Sequence, residues 1–383
     1  MRKLAAISPA VLAAVLSGAG AVVCPSFGQT TSAPSGAKAW VGAQDAPTHG
    51  TTYPATQPGV TTMPADAKID WPLLHKRYPA GDSKDYKLPE DYRRVEYPSD
   101  ADDSNQGAEF YRPAEANSPV PLLVILHPWS SDRDTHHRQC VQWCIDKGWA
   151  AIAPDFRGAN SRPAACGSEL VVRDITSAVR WARAQAPIDA NRIYLIGTSG
   201  GGMAALLLAG RAPETWAGVS AWAGISDLAA WHREQSAADK PPGNYARSIE
   251  ECCGGPPGAS KAVDEEYRKR SPITWLPRAK GLAMDINAGL RDGHDGSVPI
   301  SHSILAFNAL ADEVDRLAAD DIRRMTEKAE IPEKLRSAID DSSYGRKKAL
   351  FRKTSGKARV TIFDGGHELV AVAALTWLER QRK

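Results

Sequence analysis

The chain has 383 residues, 43% of them hydrophobic and 24% charged, with a formal net charge of +2. That is long enough to bury a sizeable α/β core, and the near-neutral balance argues against nucleic acid or an anionic membrane as a partner. No internal repeat is present, so neither a propeller nor a solenoid is encoded.

The first residues read as a targeting segment. Arg2 and Lys3 make a basic start, and Leu4 to Val23 is mostly Ala, Val and Leu. Pro25-Ser26-Phe27-Gly28 then offers small residues where a signal peptidase reads, with cleavage after Gly28. Ser8, Pro9, Gly18 and Gly20 break the run as a membrane helix, and the large Val23 before Cys24 disfavours a lipoprotein site. Residues 1–28 are therefore predicted to be a signal peptide, and the protein to be exported, periplasmic or extracellular, with no membrane association after cleavage. Losing Arg2 and Lys3 brings the charge to zero. Residues 29–66, rich in Thr, Pro, Ala, Gly and Ser, predict a disordered linker. One large domain is expected over residues 67–383.

Arg93 to Tyr97 and Ala108 to Tyr111 predict two short antiparallel strands. Pro121 to Leu126 is a continuous apolar run, the mark of a strand buried on both faces, and it leads into His127-Pro128-Trp129. A helix is predicted from Thr135 to Lys147. Its Cys140 and Cys144 share a face with His137, but small buried residues on a core helix are the simpler reading, and no metal is expected. Trp149 to Ala153 predicts a strand ending in Pro154-Asp155-Phe156-Arg157-Gly158. Glu169 to Ala186 places Val171, Val172, Ile175, Ala178, Val179 and Ala182 on one helical face, and Pro187 stops the helix. After a strand beginning at Arg192 and its helix, Ala217 to Ala223 predicts another strand. An insertion follows over residues 225–280, with Cys252 and Cys253 in a loop, and is expected to lie over the site as a lid. Gly281 to Ala288 is the next strand. Pro299 to Leu317 predicts one helix, with a charged helical stretch to about Asp340. Arg359 to Phe363 is read as the last strand and Leu369 to Arg382 as the last helix. Alternating strands and helices mean an α/β fold, a mostly parallel, doubly wound sheet with helices on both faces. Five cysteines remain after signal cleavage, an odd number, so at least one is free or intermolecular.

The most informative turn joins Arg192–Thr198 to Met203–Leu208. Gly197-Thr198-Ser199-Gly200-Gly201 is a G-x-S-x-G elbow between a β-forming run and an apolar helix. The turn crowds the positions two before and two after the serine, which calls for Gly197 and Gly201. No Lys-Ser/Thr follows the glycines and G-x-G-x-x-G is absent, which argues against a phosphate-cradling loop.

A serine hydroxyl needs a base, and the base needs a partner that fixes its tautomer. In a doubly wound sheet these groups come from loops at the carboxyl ends of strands, here in the order Ser, Asp, His. His367 follows Val360–Phe363 through Asp364-Gly365-Gly366. Asp292 lies four residues past the strand ending near Ala288 and is the favoured acid, with Asp295 as the alternative. Gly200, directly after the nucleophile, and Trp129 are the expected N–H donors of an oxyanion hole.

From Tyr92 onward the chain resembles an α/β-hydrolase of the prolyl oligopeptidase type. The likeness rests on His127-Pro128-Trp129, Pro154 to Gly158, the Ser199 elbow, the Gly289-to-Pro299 acid loop and the Gly366-His367 turn. It implies the α/β-hydrolase fold and a Ser199–Asp292–His367 triad. The acid loop carries extra residues, which keeps Asp295 open, and the N-terminal propeller of the large oligopeptidases is missing.

The expected activity is acyl transfer to water on a peptide or carboxylic ester, without cofactor or metal. The alternatives are a carbohydrate or small-molecule carboxylesterase with no peptidase activity, and a non-catalytic binding module. Trp231 and Trp275 in the insertion read as core residues or as contacts to substrate.

Overall fold

The computed structural model describes residues 69–79, 88, 90–114, 116, 118–135, 138–236 and 243–383. The predicted signal peptide, the predicted linker and His137 lie outside them. In chain order the main elements are α1 (Trp71–Arg77), β1 (Arg93–Pro98), β2 (Asn105–Tyr111), β3 (Val120–Leu126), α2 (Arg138–Lys147), β4 (Ala150–Pro154), α3 (Glu169–Gln185), β5 (Ile188–Thr198) and α4 (Gly200–Arg211). There follow β6 (Gly218–Trp222), α5 (Leu228–Gln235), α6 (Asn244–Cys253), α7 (Lys261–Arg270), β7 (Met284–Gly289), α8 (Ser301–Leu310), α9 (Ala319–Lys328), β8 (Ala349–Ser355), β9 (Ala358–Phe363) and α10 (Ala371–Leu378).

The nine strands form one sheet in the order β1-β2-β4-β3-β5-β6-β7-β9-β8. The strands from β4 to β9 are parallel, β1 and β2 run antiparallel at one edge, and β8 runs antiparallel at the other. The central strands are apolar because both of their faces are covered. Along β3, Leu122, Val124 and Leu126 enter one core cluster, while Leu123 and Ile125 enter the other. This is the period of two that a pleated strand imposes. Each fully buried side chain of this kind contributes about 1.5–3 kcal/mol. The first cluster packs β3–β7 against α3, α4 and α8; the second packs the opposite face against α2 and α10.

The chain steps outward from β3 to β4, then crosses back to β5 on the other side of β3. Helices α2 and α4, which follow β3 and β5, therefore leave toward opposite faces. That divergence opens a crevice at the carboxyl ends of β3 and β5, where such sheets bind ligands.

Four readings of the sequence change. An edge strand, β8, precedes β9 and pairs with it through a turn at Gly356, whose φ is +55°. The helix expected over Pro299–Leu317 ends at Leu310, because the Asn308 side chain captures both the N–H and the C=O of Leu317 at 2.9 Å and folds the chain back. The charged stretch is helical only to Lys328, where Ala329 turns left-handed at φ +47° ahead of Pro332. Cys252 and Cys253 form the last turn of α6, which Gly254 ends at φ +86°, rather than a loop. All five described cysteines are buried, and none forms a disulfide among the described residues.

Candidate active site

β5 runs into Ser199, which caps α4 with φ +60° and ψ −122°. A side chain rarely takes this backbone, and holding it costs about 1–3 kcal/mol. Its neighbours enforce it: Ser199 N–H donates to Trp222 O at 2.9 Å, and Met203 N–H donates to Ser199 O at 2.9 Å. The glycines on either side have no room for a side chain. A Cβ on Gly197 would lie 2.2 Å from Gly201 O, and one on Gly201 would lie 2.3 Å from Leu126 O.

β7 and β9 pair in register to their carboxyl ends, Gly289 opposite Phe363, so the two following loops leave side by side. Leu290 N–H and Arg291 N–H donate to Phe363 O and Gly365 O at 2.8 and 3.0 Å. These bonds bring Asp292 to His367. His367 Nδ1 lies 2.8 Å from Asp292 Oδ2 and 3.0 Å from Oδ1. The Asp292 side chain is fully buried, whereas His367 keeps 24% of its side chain exposed toward solvent. Asp292 Oδ1 also accepts N–H bonds from Gly293 at 3.0 Å and Val298 at 3.2 Å. The carboxylate is thus oriented by three donors, one of them the histidine.

The extra residues of the acid loop have a geometric role. Gly296 passes over the Asp292–His367 pair so closely that a Cβ there would lie 2.3 Å from Asp292 Oδ1 and 2.5 Å from His367 Cβ. Asp295, the alternative acid, points elsewhere: its side chain is 66% exposed and pairs with Arg291 Nε at 3.2 Å. Arg291 reaches on to Asp364 at 2.9 Å, tying the acid loop to the histidine turn. On the far side of that turn, Glu368 Oε1 accepts from Gly366 N–H at 3.1 Å and Lys347 Nζ at 2.8 Å. Ser199 Oγ forms no hydrogen bond to His367 among the described residues; such contacts are often long before substrate binds.

β3 delivers His127, Pro128 and Trp129 beside the elbow. A Cβ on Gly200 would lie 2.5 Å from both N and Cα of Trp129, so the two backbones abut. Neither the Gly200 nor the Trp129 N–H is spent on another acceptor among the described residues. His127 is buried under this loop, its ring stacked on Phe156 at 3.9 Å. Its Nδ1 lies 2.9 Å from Pro128 O and its Nε2 lies 2.8 Å from Asp155 O. Burial holds His127 below the ordinary imidazole range, although both carbonyl partners favour the protonated ring.

The insertion packs on this site through α5 and α6. Trp231 stands edge-on to Trp129 at 4.8 Å and leans on Tyr245 at 5.1 Å. Trp231 Nε1 and Gln235 Nε2 both donate to Ser297 O of the acid loop, at 2.8 and 2.9 Å. Trp231 is wholly buried and so is a core residue of the insertion. Trp275 packs on Gly210, ten positions along α4 from Gly200 and so about 15 Å down the helix from the elbow. It does not face the site. Sequence reasoning missed Gly296, Arg291 and the buried Asn160, whose amide meets Trp129 O. A glycine and an asparagine in loops carry no signal that separates these roles from ordinary turns.

Residues 106–282 match the family model described as X-Pro dipeptidyl-peptidase (S15 family). The chain is 30% identical to dipeptidyl aminopeptidase BIII of Pseudoxanthomonas mexicana over 119 residues, 28% of this chain and 16% of that protein. It is 26% identical to the uncharacterised peptidase YtmA of Bacillus subtilis over 163 residues, 42% of this chain and 57% of that one. The chain thus spans only part of the length of each curated relative. Among solved structures, the acylaminoacyl peptidase of Pyrococcus horikoshii aligns with a TM-score of 0.46 at 18% identity, covering 57% of this chain and 34% of that one.

Proposed function

We propose that this chain, a serine hydrolase with the α/β-hydrolase fold, cleaves peptide bonds through an acyl-enzyme formed on Ser199. The observation that carries the reading is the buried Asp292 bonded to His367 at 2.8 Å, on loops zipped together at the carboxyl ends of β7 and β9. The preference for a peptide rests on the X-Pro dipeptidyl-peptidase match over residues 106–282.

In this reading His367 Nε2 takes the Ser199 proton as Oγ attacks the scissile carbonyl carbon. Asp292 keeps the other ring proton on Nδ1 and stabilises the imidazolium. The N–H groups of Gly200 and Trp129 receive the negative charge that grows on the carbonyl oxygen. They act at the start of α4, whose dipole favours that charge. His367 returns its proton to the leaving amine, and the freed amine departs. His367 then draws a proton from water as the water oxygen attacks the acyl carbon, and gives that proton to Ser199 Oγ as the acyl–oxygen bond breaks and the acid leaves. The basic start and apolar run of residues 1–28 support export, with mature protein beginning near Gln29.

The test compares prolyl-dipeptide nitroanilides with short-chain nitrophenyl esters as substrates. Turnover of the nitroanilides, lost in Ser199→Ala, supports the peptidase reading. Turnover of esters alone would make the protein a carboxylesterase with the same residues.

A further inference from the structure

The donor at Trp129 N is useful only if its peptide holds one orientation. A trans peptide points its C=O and N–H in opposite directions, so His127 in the tautomer with its proton on Nδ1, 2.9 Å from Pro128 O, fixes the plane that carries Trp129 N–H. The next plane is held from the other side. Trp129 O accepts from Asn160 N–H at 2.9 Å and from Asn160 Nδ2 at 3.3 Å. With both planes pinned, neither backbone dihedral of Trp129 is free to turn.

Asn160 lies in the irregular segment between β4 and α3 and is only 2% exposed. Its amide has one possible orientation. Cys166 N–H can only donate, so the Asn160 atom it meets at 2.7 Å is the oxygen, which leaves Nδ2 for Trp129 O. The insertion braces this segment from behind: Arg270, nearly buried on α7, donates to Ala165 O at 2.9 Å and Pro163 O at 3.0 Å.

We propose that Asn160 is a positioning residue for the oxyanion hole, setting the direction of the Trp129 N–H without touching substrate. This rests on the acyl-transfer reading of Ser199. Aspartate at this position keeps an acceptor for Cys166 but sets an oxygen against Trp129 O, and alanine removes the side-chain half of the clamp, leaving the backbone N–H of residue 160 on Trp129 O. A donor misplaced by a fraction of its bond length is lost chiefly in the transition state, where one such donor is worth about 10²–10³ in rate.

The experiment measures kcat and KM for Asn160→Asp and Asn160→Ala, with melting temperature as the check on folding. Binding of a peptidyl trifluoromethyl ketone, which forms an oxyanion on the enzyme, is measured beside binding of the corresponding product carboxylate. Expected are a kcat lower by about ten- to a hundredfold, KM within about threefold, and ketone affinity falling in parallel while product affinity holds. If either variant fails to fold, the other carries the test. Wild-type kcat and ketone affinity in the folded variants would overturn the proposal, and so would equal losses for ketone and product, which mark a merely structural role. Wild-type reaction of Ser199 with a fluorophosphonate is the control. Its absence would bring down the acyl-transfer reading and this proposal with it, whereas labelled wild type with unaffected Asn160 variants would sink this proposal alone.

Discussion

Adding one methyl group at Gly296 should disable catalysis while leaving the fold standing. A Cβ there would sit 2.3 Å from Asp292 Oδ1 and 2.5 Å from His367 Cβ, against ordinary contact of 3.4 Å or more. Relief requires a relative shift of about 1 Å between the acid and the base, or of the loop that passes over them, since packed groups resist interpenetration. The Asp292–His367 bond at 2.8 Å does not survive such a shift intact. Misplacement by 1 Å costs about 10² in rate, and a base in the wrong tautomer or orientation costs about 10⁴. Gly296→Ala is therefore expected to lower kcat by about 10²–10⁴, with a stability loss of about 1–3 kcal/mol from overpacking. Steady-state kinetics on a nitroanilide or nitrophenyl ester give the first quantity and thermal melting the second. Gly258→Ala is the control: at φ +89° it strains the backbone, but its Cβ meets nothing within 4 Å and it should leave kcat unchanged. Wild-type kcat in a folded Gly296→Ala would refute the reasoning that this glycine holds the pair together.

Other outcomes follow from the same geometry. Asp292→Asn should cut kcat by about 10⁴, because the amide favours the wrong His367 tautomer. Asp295→Asn should stay within about twofold, since Asp295 is exposed and its pairing with Arg291 is screened by solvent; the reverse ranking in steady-state kinetics would make Asp295 the acid. His127 bears on stability. Its folded pKa lies below the ordinary 6.5, so the stability it contributes is complete above about pH 6.5 and is lost as pH falls through the lower, folded value. Melting temperature should therefore drop as pH falls below about 6.5, and His127→Gln should flatten that part of the curve; an unchanged slope in the variant would exclude His127 as the cause. Ser199→Ala should abolish turnover with an unchanged or slightly raised melting temperature, and a large loss of stability would show that the serine does more than chemistry.

What the sequence reveals follows from how local each determinant is. β3 and the Ile193–Ile196 half of β5 are continuous apolar runs whose burial on both faces leaves few alternatives, and the elbow couples a strand, a helix and its glycines within a few residues. A meeting of Asp292 with His367 was legible because each follows a strand at a short distance. Which of Asp292 and Asp295 meets His367 was not, since it depends on Val298 and Gly293 N–H groups closing on one carboxylate. β8 had a readable signal in the Ser355-Gly356 turn between two half-buried runs. The early end of α8 did not, because it is set by the Asn308 side chain reaching nine residues ahead. Asn160 was invisible for a related reason: its partner lies on another loop, brought near only when β3 and β4 pair.

Peptide mapping by mass spectrometry after reaction with a fluorophosphonate addresses the nucleophile itself. A single adduct on Ser199 is expected, formed at least about a hundredfold more slowly in His367→Ala, which lacks the base. No adduct on Ser199 in the folded protein, or an adduct on another serine that tracks activity, would contradict the assignment of this elbow as the catalytic centre.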